Sequence, residues 1–235
     1  MVIHRKIKFK KAYLTIVFVL LCSVLLIACN NIFDKNIENI SEFRPDLYIL
    51  QTDEYSIEVV SGFREKAFLI DGQTNGQVDF AIITVIPSDG VSDNVRYDFE
   101  LKFSNQTFKG TMAVHPFNEN YLYEIPVRTY GQPLSLSLTR QQSKTNEFEL
   151  QTVFENNMIN HVRALQIATN RLKTQISSIK KNGKLLGEIY LMFVKNPVNN
   201  GGGYFWYIAI HSFDNKTFAV LIDPVSEKIL AERLE

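Results

Sequence analysis

A strict alternation of apolar and polar side chains most limits the folds open to this chain of 235 residues. Between residues 95 and 103, Val, Tyr, Phe, Leu and Phe alternate with Arg, Asp, Glu and Lys. Successive side chains of a strand point to opposite faces, so this pattern predicts a half-buried strand. Similar segments, separated by turn signals, are residues 55–60, 78–86, 107–114, 121–127, 134–139 and 148–153. For residues 45–154 we predict an antiparallel β-sandwich domain with an immunoglobulin-like architecture.

The spacing of apolar residues changes after Asn156. Residues three or four positions apart then form one helical stripe, composed of Met158, Val162, Leu165, Thr169, Leu172, Ile176 and Ile179. Asn156 or Asn157 is suited to cap the start of this helix, and Asn182-Gly183 is suited to end it. Strands are predicted again at residues 185–194, 204–211, 217–223 and 228–231. We therefore predict a second domain, residues 155–235, with a helix on a four-stranded antiparallel sheet, and an α+β class for the whole chain.

The end of this second domain carries a resemblance. The sequence from Phe218 to Leu230, FAVLIDPVSEKIL, resembles the closing strand, turn and strand of the PepSY family. That family commonly has Thr-Gly in the turn, where this chain has Ser226-Glu227. The resemblance implies a PepSY-like fold for residues 155–235. Because PepSY domains occur in peptidase propeptides, it also implies a peptidase-inhibitor or chaperone-like module as one alternative function.

The amino terminus has the layout of an export signal. The first eleven residues contain Arg5 and four lysines, and residues 12–28 are uncharged and largely apolar. The segment ends at Leu26-Ile27-Ala28-Cys29, which resembles the lipobox of bacterial lipoproteins. The resemblance implies cleavage between Ala28 and Cys29, acylation of the Cys29 thiol, and attachment to the extracytoplasmic face of the cell membrane. Residues 1–28 are then the signal peptide, and residues 29–44 the lipidated cysteine and a tether, whose few apolar residues could instead dock on the domain. The alternative is an uncleaved signal anchor that merely ends near Cys29.

Composition narrows the partners and the chemistry. Cys22 and Cys29 are the only cysteines, so the mature chain has no internal disulfide if the signal peptide is removed. Without the five basic residues near the amino terminus, the chain is mildly acidic, and we expect no nucleic acid partner. His115, His161 and His211 lie in separate segments without a metal-binding motif. We expect no metal or cofactor, and no catalytic residue is assigned.

One strand combines several aromatic residues. Phe205, Trp206 and Tyr207 are the candidate partner-binding residues, because exposed aromatic rings are frequent at protein interfaces. The alternative is that both faces of this strand are core or domain interface. We predict a membrane-anchored, non-enzymatic binding or accessory lipoprotein, with the bilayer and an envelope protein as partners. A hydrolase with a dispersed inter-domain site is the alternative from another class.

Overall fold

The computed structural model describes residues 36–66, 76–141, 143–196 and 202–234. Ala28 and Cys29, and with them the predicted cleavage and lipidation site, lie outside the described residues. Within the described residues the chain is mostly β, with a nine-stranded sheet, a four-stranded sheet and two α-helices. No described helix is both long enough and apolar enough to cross a membrane.

The large sheet is mixed. In chain order its strands are β1 (Ile40–Gln51), β2 (Tyr55–Glu65), β3 (Gln77–Pro87), β6 (Ala113–Val114), β7 (Tyr121–Ile125), β12 (Gly187–Lys195), β13 (Tyr204–Ser212), β14 (Thr217–Ile222) and β15 (Ile229–Arg233). In space the order is β15-β14-β13-β12-β1-β2-β3-β7-β6. Only β1 and β12 pair in parallel, and the other neighbours are antiparallel.

The four-stranded sheet packs on one part of the large sheet. Its strands are β4 (Tyr97–Phe103), β5 (Gln106–Thr111), β8 (Leu134–Arg140) and β9 (Thr145–Leu150), in the order β5-β4-β8-β9. A core between the sheets contains Ile57 and Val59 of β2, Leu101 of β4 and Leu136 of β8. A separate two-stranded hairpin consists of β10 (Lys180–Lys181) and β11 (Lys184–Leu185).

The parallel pair β1–β12 overturns the predicted fold class. In this pair Ile40 lies opposite Ile189, and Phe43 lies opposite Leu191. β1 continues to Gln51, inside the predicted first domain, and β12 lies in the predicted second domain, so one sheet contains strands of both. The predicted α+β fold class, with a helix on a separate four-stranded sheet, is therefore wrong. Periodicity reports only which face of a segment is buried, and it carries no information about distant pairing partners. The domain boundary after residue 154 stays a prediction, although one sheet contains strands from both sides of it.

β1 also corrects the predicted tether. Residues 40–44, which were assigned to the tether, form the first part of a central strand of the large sheet. Ile40 is fully buried, and Phe43 is only 2% exposed. Two buried apolar side chains anchor this segment in the core, so a flexible spacer cannot extend as far as Arg44.

A bulge divides β1 into two parts. Phe43 pairs with Phe63 of β2 and Asp46 pairs with Ser61, so β1 has one extra residue between these pairs. Gly62 of β2 lies opposite the bulge. The parallel pairing with β12 ends at Arg44, and beyond Pro45 the second part of β1 leaves β12. Pro45 fits this position because it has no N–H to contribute to a ladder.

The helices differ in detail from the predicted one. α1 (His161–Arg171) begins after Asn160, whose side chain accepts a hydrogen bond from the backbone N–H of Arg163. Leu172 then interrupts the helix, and α2 (Lys173–Ser178) follows. Leu165 and Leu172 of the predicted stripe are fully buried. They pack in a core with the side chains of β12, β13 and β14 that point toward α1.

The turn that resembles the PepSY family is tightly hydrogen-bonded. One carboxylate oxygen of Asp223 accepts the N–H groups of Val225 and Ser226, at 2.9 and 2.7 Å. Glu227 has a φ of +60°, in the region that glycine adopts most easily. Its carboxylate forms an ion pair with Arg163 of α1. This residue, which departs from the common family pattern, thus links the turn to the helix.

Candidate functional site

A pocket of about 430 Å³ lies where β1 leaves β12. Elements that are distant in sequence surround it: the bulge of β1, the loop from β7 to β8, the connection from β9 to α1, and β13. The residues that line the pocket include Asp46, Arg128, Tyr130, Asn156, His161 and Trp206. The volume lies within the range usual for sites that bind small molecules.

The loop of residues 126–133 connects the two sheets and is fixed by buried polar groups. The hydroxyl of Thr129 donates to Asp46 at 3.4 Å, and its backbone N–H donates to Ser61 Oγ at 2.9 Å. The hydroxyl of Tyr48 donates to the carbonyl oxygen of Gln132 at 2.9 Å. These groups satisfy one another in the interior, so the loop is held in one conformation at the pocket wall.

Asp46 lies at the centre of this network. Burial raises the pKa of Asp46 above its ordinary value, although the charge of Arg128 and hydrogen bonds from the loop act to lower it. The N–H groups of Gly131 and Tyr130 and the Thr129 hydroxyl supply those hydrogen bonds. The carboxylate thus already serves as acceptor for the loop, in addition to contributing a negative charge to the pocket wall.

Tyr130 has an unusual backbone conformation beside the pocket. Its φ is +54°, and Gly131 follows with a φ of +67°. A bulky residue in the left-handed region costs free energy, and such residues are concentrated at functional sites. The side chain is 63% exposed, yet its ring centroid is 4.9 Å from Cζ of Arg128. The strained turn therefore places an accessible aromatic ring over the arginine.

Arg128 is held by aromatic rings instead of by carboxylates. Its Cζ is 4.9 Å from the ring centroid of Phe43 and 5.8 Å from that of Phe63, in addition to the contact with Tyr130. Its Nε is buried and has no hydrogen-bond partner. None of the ion pairs of the described residues includes Arg128. The pocket wall thus contains a positioned cation with unused hydrogen-bonding capacity.

His161, the first residue of α1, lies beside this cation. Burial lowers the pKa of His161 to about 4, and the charge of Arg128 acts in the same direction. The imidazole is therefore neutral at neutral pH. Its ring centroid lies 4.9 Å from that of Phe43 and 6.5 Å from that of Trp206. Arg128 thus carries the positive charge of this wall alone, and His161 adds a neutral, flat surface.

The threonine hydroxyl that lines the pocket is already engaged. Thr152 Oγ1 donates to the carbonyl oxygen of Leu47 at 3.3 Å and accepts the N–H of Phe154 at 3.2 Å. A hydroxyl becomes a nucleophile when a base lies in hydrogen-bond contact with it, and neither partner of Thr152 is such a base. The Thr152 hydroxyl is therefore not arranged as a nucleophile.

The three predicted partner-binding residues lie on β13. Trp206 is 1% exposed, faces α1, and donates from Nε1 to the carbonyl oxygen of Ile159 at 2.8 Å. Phe205 and Tyr207 point to the opposite face, where Phe205 is 9% exposed and Tyr207 is half-buried next to Tyr190 and Ala209. Only Trp206 reaches the pocket. A role of these residues in binding a partner protein stays a prediction.

The three histidines do not come together. His115 lies in the connection between β6 and β7, His161 begins α1, and His211 is near the end of β13. In the described ranges, no group of three or more His, Cys, Asp or Glu side chains is arranged to hold a metal ion.

Sequence reasoning missed Asp46, Arg128 and Tyr130. Asp46 lay near the start of the predicted sandwich domain, before its first predicted strand, and Arg128 and Tyr130 lay between the predicted strands of residues 121–127 and 134–139. No spacing connects them with His161 or Trp206, because four separate segments of the chain form the pocket. The loop has a proline at each end, Pro126 and Pro133. Because proline fixes its backbone φ angle, these two residues were the one sequence signal that indicated a rigid loop.

Comparisons of the chain with protein-family models, curated proteins and solved structures found no match. The PepSY and lipoprotein resemblances therefore stay predictions. The function has to be argued from the geometry of the pocket and from the amino-terminal sequence.

Proposed function

We propose that this chain is an extracytoplasmic lipoprotein of the cell envelope, attached to the membrane through an acylated Cys29. Its folded part is a non-enzymatic module that binds a small ligand, or a single group of a larger one, in the pocket beside Arg128. The observation that carries this proposal is the pocket itself. Its wall contains an arginine that contacts three aromatic rings and forms no ion pair with a carboxylate. An arginine fixed in this way has lost its rotamer freedom before a ligand arrives, which lowers the entropy cost of binding.

The proposed partner classes are compatible with the pocket. Its volume of about 430 Å³ suits one compact group and is too small for a protein surface. An envelope protein, the partner expected from the sequence, would therefore have to present a side chain or a chain end at this position. The hydrolase alternative has less support, because the Thr152 hydroxyl has backbone partners and His161 is a weak base.

Filling the pocket tests the binding function. Asn156 is exposed and lines the pocket, so Asn156→Phe places a ring in the ligand space. We expect the wild-type chain, extracted under native conditions from its own membranes, to retain a bound small molecule in native mass spectrometry. Asn156→Phe should lower the bound fraction about tenfold or more, since even a few lost contacts shift affinity by that factor.

The matched control is Asn170→Phe, which makes the same change at an exposed position of α1 that does not line the pocket. It should retain the molecule at the wild-type level. Equal retention by Asn156→Phe and wild type would show that the ligand binds elsewhere and would contradict the proposal.

Cys29→Ser tests the anchor. We expect this variant to lose metabolic labelling with a fatty acid, because the serine hydroxyl does not replace the thiol as acceptor of the diacylglycerol. Cys22→Ser is the control, since Cys22 lies within the predicted signal peptide and should leave labelling unchanged. Normal labelling of Cys29→Ser would contradict the lipoprotein assignment.

A further inference from the structure

We propose that the ligand of this pocket is a monocarboxylate with a flat apolar body, and that Arg128 binds its carboxylate. This inference rests on the proposed binding function and adds the chemical class of the ligand. It is carried by the surroundings of Arg128, by the charges next to it and by the rings of the pocket wall.

The surroundings of Arg128 leave its hydrogen-bond donors available for a ligand. Contacts between a guanidinium group and aromatic rings use the flat face of the group, whereas its N–H bonds lie in the plane. Cζ of Arg128 lies over the rings of Phe43, Phe63 and Tyr130, and a ring supplies no oxygen or nitrogen acceptor to its N–H groups. The buried Nε has no acceptor, and no hydrogen bond among the described residues engages the terminal Nη groups. A carboxylate that accepts from the Nη groups would supply the charged partner that Arg128 lacks.

A carboxylate matches this donor geometry. Its two oxygens can accept two parallel N–H bonds from one guanidinium group, which gives both strength and a fixed orientation. Asp46 does not play this part, because it forms no ion pair with Arg128 and instead accepts hydrogen bonds from Thr129 and the backbone of the loop.

The charge balance favours a single negative charge on the ligand. Among the described residues that line the pocket, Arg128 is the one cation, His161 is neutral and Asp46 is acidic. A phosphate group carries close to two negative charges at neutral pH, and this wall has no second cation to compensate the additional charge. A carboxylate adds one negative charge beside Arg128 and Asp46, whereas a phosphate adds close to two. We therefore favour a carboxylate over a phosphate.

The rest of the wall favours a flat apolar body. Phe154 and Trp206 line the pocket, with their ring centroids 6.4 Å apart. Phe193 is buried, does not line the pocket, and packs against both rings, at 5.0 Å from Trp206 and 5.5 Å from Phe154. Tyr130 adds an accessible ring to the lining of the same pocket. Aromatic side chains pack favourably against flat apolar groups, so a ring next to the carboxylate gains contacts that a compact ion lacks.

The experiment uses the full chain in detergent micelles and reads the emission of Trp206, which is the single tryptophan of the sequence. The probes are 3-phenylpropionate, 3-phenylpropionamide, 3-phenylpropylamine and inorganic phosphate. We expect a saturable change of emission with the carboxylate. Binding of the amide and the amine should be weaker by about tenfold or more, because each loses the bidentate charged pair. Phosphate should also bind more weakly, because it carries additional negative charge and has no ring to contact the pocket wall.

Variants of Arg128 test whether this residue recognises the negative charge of the ligand. Arg128→Gln should bind the carboxylate and the amide equally. Arg64→Gln is the matched control. Cζ of Arg64 also lies over a ring, 5.0 Å from the centroid of Phe80, but Arg64 does not line the pocket. This variant should keep the preference for the carboxylate over the amide. Arg128→Lys retains the charge but not the bidentate geometry, so it should show an intermediate preference. If Arg128→Gln does not fold, Arg128→Lys provides the test in its place.

Each outcome has a distinct consequence. Equal affinity of the wild type for 3-phenylpropionate and 3-phenylpropionamide overturns the carboxylate class but leaves the pocket as a binding site. Tighter binding of phosphate overturns the monocarboxylate in favour of a phosphate ligand. If no probe produces a saturable change, this ligand class is overturned. The proposed binding function survives that result if the wild type, but not Asn156→Phe, retains another molecule.

Discussion

Gly62→Ala is expected to lower the free energy of unfolding by about 3 kcal/mol or more, as measured by chemical denaturation followed through Trp206 emission. A Cβ atom at this position would lie 1.8 Å from the carbonyl oxygen of Phe43 and 2.8 Å from its carbonyl carbon. Both are backbone atoms of the β1 bulge, so no side-chain rotation relieves the clash. The bulge would have to move, and with it the pairing of Phe43 and Asp46 with β2.

The same substitution also tests the link between the bulge and the pocket. Pro45 and Asp46 line the pocket, and a displaced bulge moves both. Any Gly62→Ala protein that folds should therefore have lost the response to 3-phenylpropionate. Ser56→Ala, on the same strand but away from the bulge, should change neither quantity. A Gly62→Ala chain with wild-type stability would show that the bulge does not have the described geometry.

Leu165→Ala is expected to cost about 2–5 kcal/mol of unfolding free energy. Leu165 is fully buried between α1 and the large sheet, in the same core as Ile208 and Val220. Removing its terminal carbons forfeits their burial and leaves a cavity that a packed sheet cannot close. Chemical denaturation of the variant and the wild type measures the difference.

The control for Leu165→Ala is Asn170→Ala, on the exposed side of the same helix. Alanine favours helix more than asparagine does, so this control should be neutral or slightly stabilising. A cost below about 1 kcal/mol for Leu165→Ala would indicate that α1 is not firmly packed on the sheet.

Alternation was sufficient to locate most strands. The predicted strand of residues 95–103 is β4, Tyr97–Phe103, and the predicted strand of residues 204–211 is β13, Tyr204–Ser212. In β4 one face is packed and the residues of that face are large and apolar, whereas β13 is largely buried on both faces. The hydrophobic pattern then determines the local structure regardless of what the strand packs against.

The sequence pattern did not predict strand β1, because the first half of this strand buries polar residues. Ser41 and Glu42 are 2% and 3% exposed. Ser41 donates to Glu65 at 3.0 Å, and Glu42 forms an ion pair with Arg44 at 2.6 Å. Their partners make this burial tolerable, but in the sequence they look like solvent-exposed residues of a tether. Tertiary pairing thus overrides the local pattern.

The helix prediction failed at its ends. The cap is Asn160, not Asn156 or Asn157, and the chain of residues 154–159 instead packs at the pocket, where Ile159 accepts the indole N–H of Trp206. Asn182 and Gly183, predicted to end the helix, have φ values of +52° and +79° and form the turn of the β10–β11 hairpin. Asn-Gly suits either role, and only the following strand decides between them.

The most direct test of the binding account is a crystal structure of the full chain grown with 3-phenylpropionate. The account predicts that the carboxylate lies within hydrogen-bond distance of the Arg128 guanidinium group and that the phenyl ring lies between Tyr130 and the aromatic wall at Trp206. A ligand bound at any other position, with this pocket unchanged while binding is measured in solution, would contradict it.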